Sequence, residues 1–298
     1  MTRAAAEPVL EVGATLGEGP VWDDRDQRLL FVDILGERVH WFHPGTRAHS
    51  SSVTDGPVGA VVLRDDGGLV LARHDCFVHA GPSGEGRVVV EGFRVNGRAV
   101  RFNDGKVDPW GRFVAGTMDW GQLAPIGELY MLSPDNSVTT LLESVTVSNG
   151  LAWSAEGDVM YYIDTPTKRV DAFDVAPGSG ALTRRRTVVE VGDGLPDGMA
   201  IDDEGCLWVA IWDLGLVRRY AHDGRLLEVV DVPGAGHVSS VAFGGPRMST
   251  LYITTARDGL TEAQLARAPH AGDLFAFQAP VTGPAPFRFA PVSGGGLP

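Results

Sequence analysis

One pattern constrains this chain more than any other: a short strand-like run that recurs six times. The copies are LLFVD from Leu29, LVLAR from Leu69, RFVAG from Arg112, MYYID from Met160, LWVAI from Leu207 and LYITT from Leu251. Successive copies stand 40, 43, 48, 47 and 44 residues apart. Each is rich in β-branched or aromatic residues, and turn formers such as DDRDQ, DDGG, PWG, AEGD and DEG sit just before most of them. A further strand-like run usually precedes each copy (GPVW, GAVVL, GKVD, GLAW, GMAI, SVAF), and another usually follows, as in GELYMLSP and KRVDAFDV. The windows alternate at period two and lack the i, i+3, i+4, i+7 recurrence of a helical solenoid. Repeats of about 45 residues with several strands and almost no helical period describe propeller blades. The expectation is an all-β, six-bladed β-propeller that fills residues 1–298 as a single domain. The N-terminal VLEV is expected to join the last blade and close the ring, and 261–270 to form a short helical insertion.

Composition narrows the partners. Asp plus Glu is 38 against 25 Lys plus Arg, a net charge of −13, which disfavours nucleic acid because phosphate binding needs a basic footprint. No apolar run reaches the ~20 residues of a membrane helix, and Glu7 and Pro8 fall where a secretory apolar core would sit. Cys76 and Cys206 lie far apart and form no CxxC, so a reducing cytoplasm is the expected setting. No interface stripe stands out, which leaves a monomer or weak homodimer.

The repeat also serves as a ruler for function. In each blade the inner strand opens on a small residue: Gly19, Gly59, Gly105, Gly150, Gly198 and Ser240. The residues just before them are Glu18, Val58, Asp104, Asn149, Asp197 and Ser239. They are expected at the mouth of the central channel, where blades converge. Carboxylates gathered on an axis repel, and either a proton or a cation relieves them. The set offers side-chain oxygen without His or Cys, which suits Ca²⁺, then Mg²⁺ or Mn²⁺, better than a structural Zn²⁺. Asp-Gly and Asn-Gly are also ordinary turn dipeptides. The residues alone leave both readings standing.

Longer stretches carry a resemblance. LGEGPVWD (16–23), RFNDGKVDPWGRFVAGTM (101–118), VSNGLAWS (147–154), YYIDT with VDAFD (161–174), LPDGMAIDDEGCLWVA (195–210), AFGG and LYITTARDG (242–259) resemble the regucalcin/gluconolactonase family. That family is also called the senescence-marker and luciferin-regenerating family. The likeness spans nearly all of 10–280 and implies a six-bladed propeller with one divalent cation in its channel. The cation would be Ca²⁺ first, with Zn²⁺, Mn²⁺, Mg²⁺ and Fe²⁺ as alternatives. Matched residue by residue, it implies Glu18, Asn149 and Asp197 as metal ligands, Asp197 also as the acid–base residue, and Arg101 and Asn103 as substrate-binding. Mammalian members carry an acidic stretch with a substrate-contacting Glu just after GTM. Here Asp119, Trp120, Gly121 and Gln122 follow, with a shorter loop. The aligned carboxylate is missing; Asp119 is the expected substitute for that contact, and Trp120 is expected in the loop over the channel, placed to stack on a sugar face.

The implied activity is hydrolysis of a sugar lactone to the aldonic acid. Two alternatives stand beside it: a non-catalytic calcium-binding regulatory protein of the same fold, and a hydrolase of another ester or phosphotriester. The histidines show no HxH or HExxH spacing. His40 and His43 read as half-exposed fillers, and His237 as a loop residue near the channel mouth. Asp33, Asp164 and Trp212 recur near strand ends, which suits turns and blade packing. Trp22, Trp153, Tyr162, Trp208 and Phe243 read as inter-blade core.

Overall fold

The fold was obtained as a computed structural model that describes residues 1–81, 86–95 and 97–290. Six sheets follow one another along the chain, and each begins on one of the runs identified above as inner strands. Their inner strands are Gly17–Asp23, Val58–Leu63, Arg98–Val107, Ser148–Trp153, Pro196–Ile201 and His237–Gly244. Each pairs antiparallel with the next strand of its sheet, and the sheets meander outward. The inner strands of neighbouring blades pack side by side around the axis. This is the expected six-bladed propeller.

The core lies between blades rather than inside any one of them. Six clusters of buried apolar side chains fill the six blade-to-blade interfaces. One joins Trp208, Val217 and Val230 of the fifth blade to Val241, Phe243 and Phe275 of the sixth. Another closes the ring by packing Trp22, Leu29 and Phe31 of the first blade on Tyr252 and Leu274 of the last. The Trp22 and Tyr252 rings stack there at 5.7 Å. All five aromatics assigned to inter-blade packing are buried.

Two devices secure the ring. Strand Glu7–Leu10 adds to the outer edge of the sixth blade by antiparallel pairing with Leu274–Gln278. That is the closure expected of VLEV. Strand Thr2–Ala5 adds in parallel to the outer edge of the fifth blade. The second device is a strap at the other terminus. Residues 279–290 cross the underside: Thr282 Oγ1 donates to Asp203, Arg288 pairs with Asp23 and Asp24, and the Phe289 N–H donates to the Leu63 carbonyl. The helical insertion is one short turn, Glu262–Leu265, with a capping box between Thr261 and Gln264. Among the described residues no helix is long and apolar enough to cross a membrane.

Convergence at the axis explains the phased glycines. A Cβ on Gly59 would lie 2.5 Å from the Phe102 carbonyl carbon and oxygen. One on Gly150 would lie 2.7 Å from Met199 Cβ and 2.8 Å from the Asp197 carbonyl oxygen. Close approach of neighbouring backbones, rather than turn formation, sets these two positions. Gly150→Ala is therefore expected to destabilise the fold by about 1–3 kcal/mol, the usual cost of overpacking, read as a lower urea midpoint.

His40 corrects the sequence reading. It is buried, not half-exposed, stacked on Phe31 at 4.7 Å and set edge to edge with His49, its Nδ1 3.0 Å from His49 Nε2. Four-stranded blades bury the third strand, so an alternating strand exposes less than its pattern suggests. Burial, then the neighbouring His49, pushes the His40 pKa down to about 4. The unfolded chain takes up that proton near pH 6.5. Stability is thus expected to fall as pH drops from about 6.5 to 4, because the unfolded state binds the extra proton. His40→Phe should flatten that part of the profile of urea midpoint against pH.

Candidate metal centre

All six inner strands break register with their neighbours at the same height. The shifts fall between Glu18 and Val21, Val58 and Ala60, Phe102 and Asp104, Ser148 and Leu151, Pro196 and Met199, and Val238 and Ser240. A β-bulge leaves its extra residue unpaired and re-aims the side chain. Asn103, Asn149 and Asp197 occupy these unpaired positions, and Glu18 begins the break in the first blade. The bulge refines the sequence ruler in the third blade: Asp104 pairs with Gly116, and the unpaired residue is Asn103. A count from the glycine does not register a bulge, so the ruler lands one residue late.

The side chains form a connected set. Arg101 Nη1 donates to Asn103 Oδ1 at 2.6 Å and to the Phe102 carbonyl at 3.1 Å. Asn103 Nδ2 donates to the Ser148 carbonyl at 2.8 Å and to Asn149 Oδ1 at 3.0 Å. Asn149 Nδ2 donates to Thr165 Oγ1 at 2.7 Å, and that hydroxyl donates to the Pro196 carbonyl at 2.7 Å, next to Asp197. Three blades are thereby tied together at the axis. Glu18, Arg101, Asn103, Asp104, Asn149 and Asp197 are all buried. Thr165 was not singled out from the sequence; its only signal is its place directly after the Asp of YYID.

Electrostatics marks the same spot. Burial, then the Asp197 and Asp104 charges, raises the Glu18 carboxyl well above the usual range. Burial and Asp104 likewise raise Asp197, against the pull of Arg101. Burial draws the Arg101 guanidinium down to about 10, opposed by Glu18, Asp258 and Asp197. Arg101 makes no ion pair among the described residues. Asp197 Oδ1 is buried with no hydrogen-bond partner, an expensive position for a carboxylate oxygen. No group of three or more His, Cys, Asp or Glu side chains converges with metal-holding geometry among the described residues. The set here is two carboxylates and an amide. Its donors are oxygen only, the chemistry of a hard cation, and the orphaned Asp197 oxygen supplies a free lone pair.

The turns above this floor carry the remaining expected residues. Arg101 pairs with Met118, so the segment after Asp119 hangs at the channel mouth. The Trp120 ring lies over Arg101, 5.8 Å from Cζ to centroid, and beside His74. It is 43 % exposed, which leaves ring surface open. Asp119 does not join the cluster. It pairs with Val100, on the opposite face of the blade from Arg101, and its carboxylate reaches Arg98 at 3.5 Å. His237 stacks on Trp212 at 4.3 Å and its Nδ1 sits 3.1 Å from the Trp212 carbonyl oxygen. Asp33 and Asp164 accept backbone N–H groups from the segments entering their inner strands, at Thr15, Leu16, Thr146 and Val147, the turn role expected of them.

The raised carboxyls carry a stability consequence. A carboxyl whose folded pKa exceeds its unfolded value adds stability that is full below about pH 4 and drains away as pH rises through the folded pKa. Glu18→Gln removes one such group. With a chelator present, the variant is expected to melt higher than the parent at pH 8, with the difference shrinking toward pH 4 in a calorimetric scan.

Comparison with known proteins agrees with this architecture. The SMP-30/Gluconolactonase/LRE-like region model matches residues 16–257. Regucalcin of Xenopus laevis is 39% identical over 302 residues, covering 97% of this chain and 100% of the relative. The Bacillus subtilis protein named sugar lactone lactonase YvrE is 36% identical over 280 residues, 93% of this chain and 96% of the relative. Among solved structures, the calcium-binding protein regucalcin from Agrobacterium tumefaciens superposes with a TM-score of 0.91 at 25% identity, over 97% of this chain and 99% of that one. A luciferin-regenerating enzyme gives 0.86 at 29% identity, over 95% and 100%. The chain belongs to the SMP-30/gluconolactonase/LRE-like family.

Proposed function

We propose that this protein is a divalent-cation-dependent lactonase that opens a sugar lactone to the aldonic acid. The observation that carries the reading is the buried, unpartnered Asp197 Oδ1 beside an oxygen-rich floor. Glu18, Asn149 and Asp197 would hold the cation, with Ca²⁺ the best match to their chemistry and water completing the shell. When bound, the cation supplies Lewis acidity toward an ester carbonyl.

Everything else falls to the chain. Asp197 takes the proton of the attacking water and returns it to the leaving ring oxygen, so the ester C–O bond breaks and the alcohol is neutral. A carboxylate that also holds the cation is a weaker base than a free one, so Asp197 needs its second oxygen directed at the water. Arg101 commits one nitrogen to Asn103 and Phe102, and its remaining N–H groups can meet substrate hydroxyls or developing negative charge. Asn103 fixes both Arg101 and Asn149, which makes it a positioning residue as much as a substrate contact. Trp120 offers an open ring surface for the apolar face of a sugar ring.

The kinship with a protein named sugar lactone lactonase supports this reading. A second reading, cation binding without turnover, draws on the description of the Agrobacterium relative as calcium-binding. One assay separates them: acid release from glucono- and pentonolactones with Ca²⁺, Mg²⁺, Mn²⁺ or Zn²⁺ added after chelation, less the spontaneous rate. Turnover above that rate is expected. Asp197→Ala is expected to lose about 10³-fold in kcat, within the range for removing an acid–base group, while unfolding cooperatively. Heat of Ca²⁺ binding with no turnover of any lactone would favour the second reading. Near-normal hydrolysis by Asp197→Ala would overturn the assignment of Asp197.

A further inference from the structure

Asn149 and Asp197 stand on different blades, and one hydroxyl ties the two together. Thr165 follows directly on the second strand of the fourth blade, Val159–Asp164. Its backbone is held on both sides. The Thr165 N–H donates to the Val147 carbonyl at 3.1 Å, the Thr165 carbonyl accepts from the Lys168 N–H at 3.0 Å, and Pro166 stiffens the short 3₁₀ turn Thr165–Thr167. A β-branched side chain adds little freedom of its own. A threonine in such a turn commonly bonds its local backbone. Thr165 instead reaches Asn149, 16 positions back, and the Pro196 carbonyl, 31 positions on.

The direction of these bonds is fixed from both ends. A carbonyl oxygen only accepts, so the Thr165 hydroxyl gives its single hydrogen to Pro196, at 2.7 Å. Toward Asn149 its oxygen can then only accept, which turns the Asn149 NH₂ toward Thr165, at 2.7 Å. The Asn149 Oδ1 therefore faces the other way, where Asn103 Nδ2 donates to it at 3.0 Å. At the far end a guanidinium only donates, so Arg101 obliges Asn103 to present Oδ1 to it and NH₂ to Asn149. A reversed Asn149 amide would set NH₂ against NH₂ at Asn103 and an oxygen against a hydroxyl whose hydrogen is already spent. An amide oxygen carries two lone pairs, and Asn103 takes one of them. The second is what Asn149 has to offer a cation; a reversed amide would offer N–H donors instead.

We infer that Thr165 is a positioning residue for the cation site: its hydroxyl fixes the Asn149 amide with the oxygen toward the axis and, through the Pro196 carbonyl, anchors the start of the strand that carries Asp197. Thr165 is not a ligand; it acts through Asn149 and Asp197. This role rests on the cation reading proposed above and does not require lactone turnover.

The test is calcium affinity. Chelator-treated parent, Thr165→Val and Thr165→Ser are titrated with Ca²⁺ by isothermal titration calorimetry. Valine keeps the shape and removes both bonds, whereas serine keeps the hydroxyl. Thr165→Val is expected to bind Ca²⁺ about 10–100-fold more weakly, the usual cost of losing a partner that orients a ligand. Thr165→Ser is expected to stay near the parent. Melting temperatures separate positioning from packing. Added Ca²⁺ should raise the Tm of the parent and of Thr165→Ser more than that of Thr165→Val, since stabilisation by a ligand follows its affinity. A merely structural threonine would lower the metal-free Tm and leave Ca²⁺ affinity untouched, and that result overturns the inference. So does a Thr165→Ser variant that loses as much affinity as Thr165→Val, because the hydroxyl would then not matter. A parent that takes up no Ca²⁺ overturns the calcium assignment, and this inference with it. A parent that binds Ca²⁺ no better than Thr165→Val overturns the inference alone. If Thr165→Val does not fold, Thr165→Ala takes its place in the same comparison.

Discussion

Every sheet in this protein buries both faces against its neighbours, and that single packing constraint organises the rest. A lone blade exposes two apolar surfaces, and a row of blades still exposes two. Only closure of the row removes them, which is why Trp22 and Tyr252 must meet across the first and last blades. At roughly 25 cal/mol per Å² of apolar surface, an unclosed interface is a large loss against a net stability of only about 5–15 kcal/mol. The terminal strand Glu7–Leu10 and the strap at 279–290 both act on this closure.

Closure has a chemical by-product. Six inner strands are forced together at the axis until Gly59 and Gly150 leave no room for a methyl group. Strands that close need a local break, and the six bulges supply it. In four blades the unpaired residues include a polar side chain, Asn103, Asn149, Asp197 or Ser239, whereas in the second blade the unpaired residue is Gly59. The fold therefore collects groups distant in sequence, Glu18, Asn103, Asn149 and Asp197, without any one segment having to encode a loop-borne site. The cost appears as raised carboxyl pKa values and as an unpartnered Asp197 oxygen.

The two ends of the channel differ in character because the inner strands change along their length. Upper positions are polar, at the bulges. Lower positions such as Val21, Val62 and Ala242 are apolar, with Lys106 as an exception. One architecture thus presents an oxygen-lined floor on one side and, on the other, a chamber whose apolar walls are interrupted by Lys106 and by carboxylates such as Asp104 and Asp202.

The six-fold period, the all-β class and the ring position of Glu18, Asn149 and Asp197 were legible in the order of residues alone. Repetition is a one-dimensional property, and a phased polar residue before a phased glycine survives as text. Other features needed three dimensions. The bulge that puts Asn103 rather than Asp104 in the unpaired position shifts register by one residue without leaving a mark in composition. The same sheet geometry sends Asp119 to the far face with Arg98, although its neighbour Trp120 turns back over Arg101. Burial of His40 depends on the width of the blade, and the Asn149–Thr165–Pro196 link depends on two turns meeting. Local sequence determines which strands form; which side chains meet follows from how closed sheets twist and pack, and no single segment contains that information.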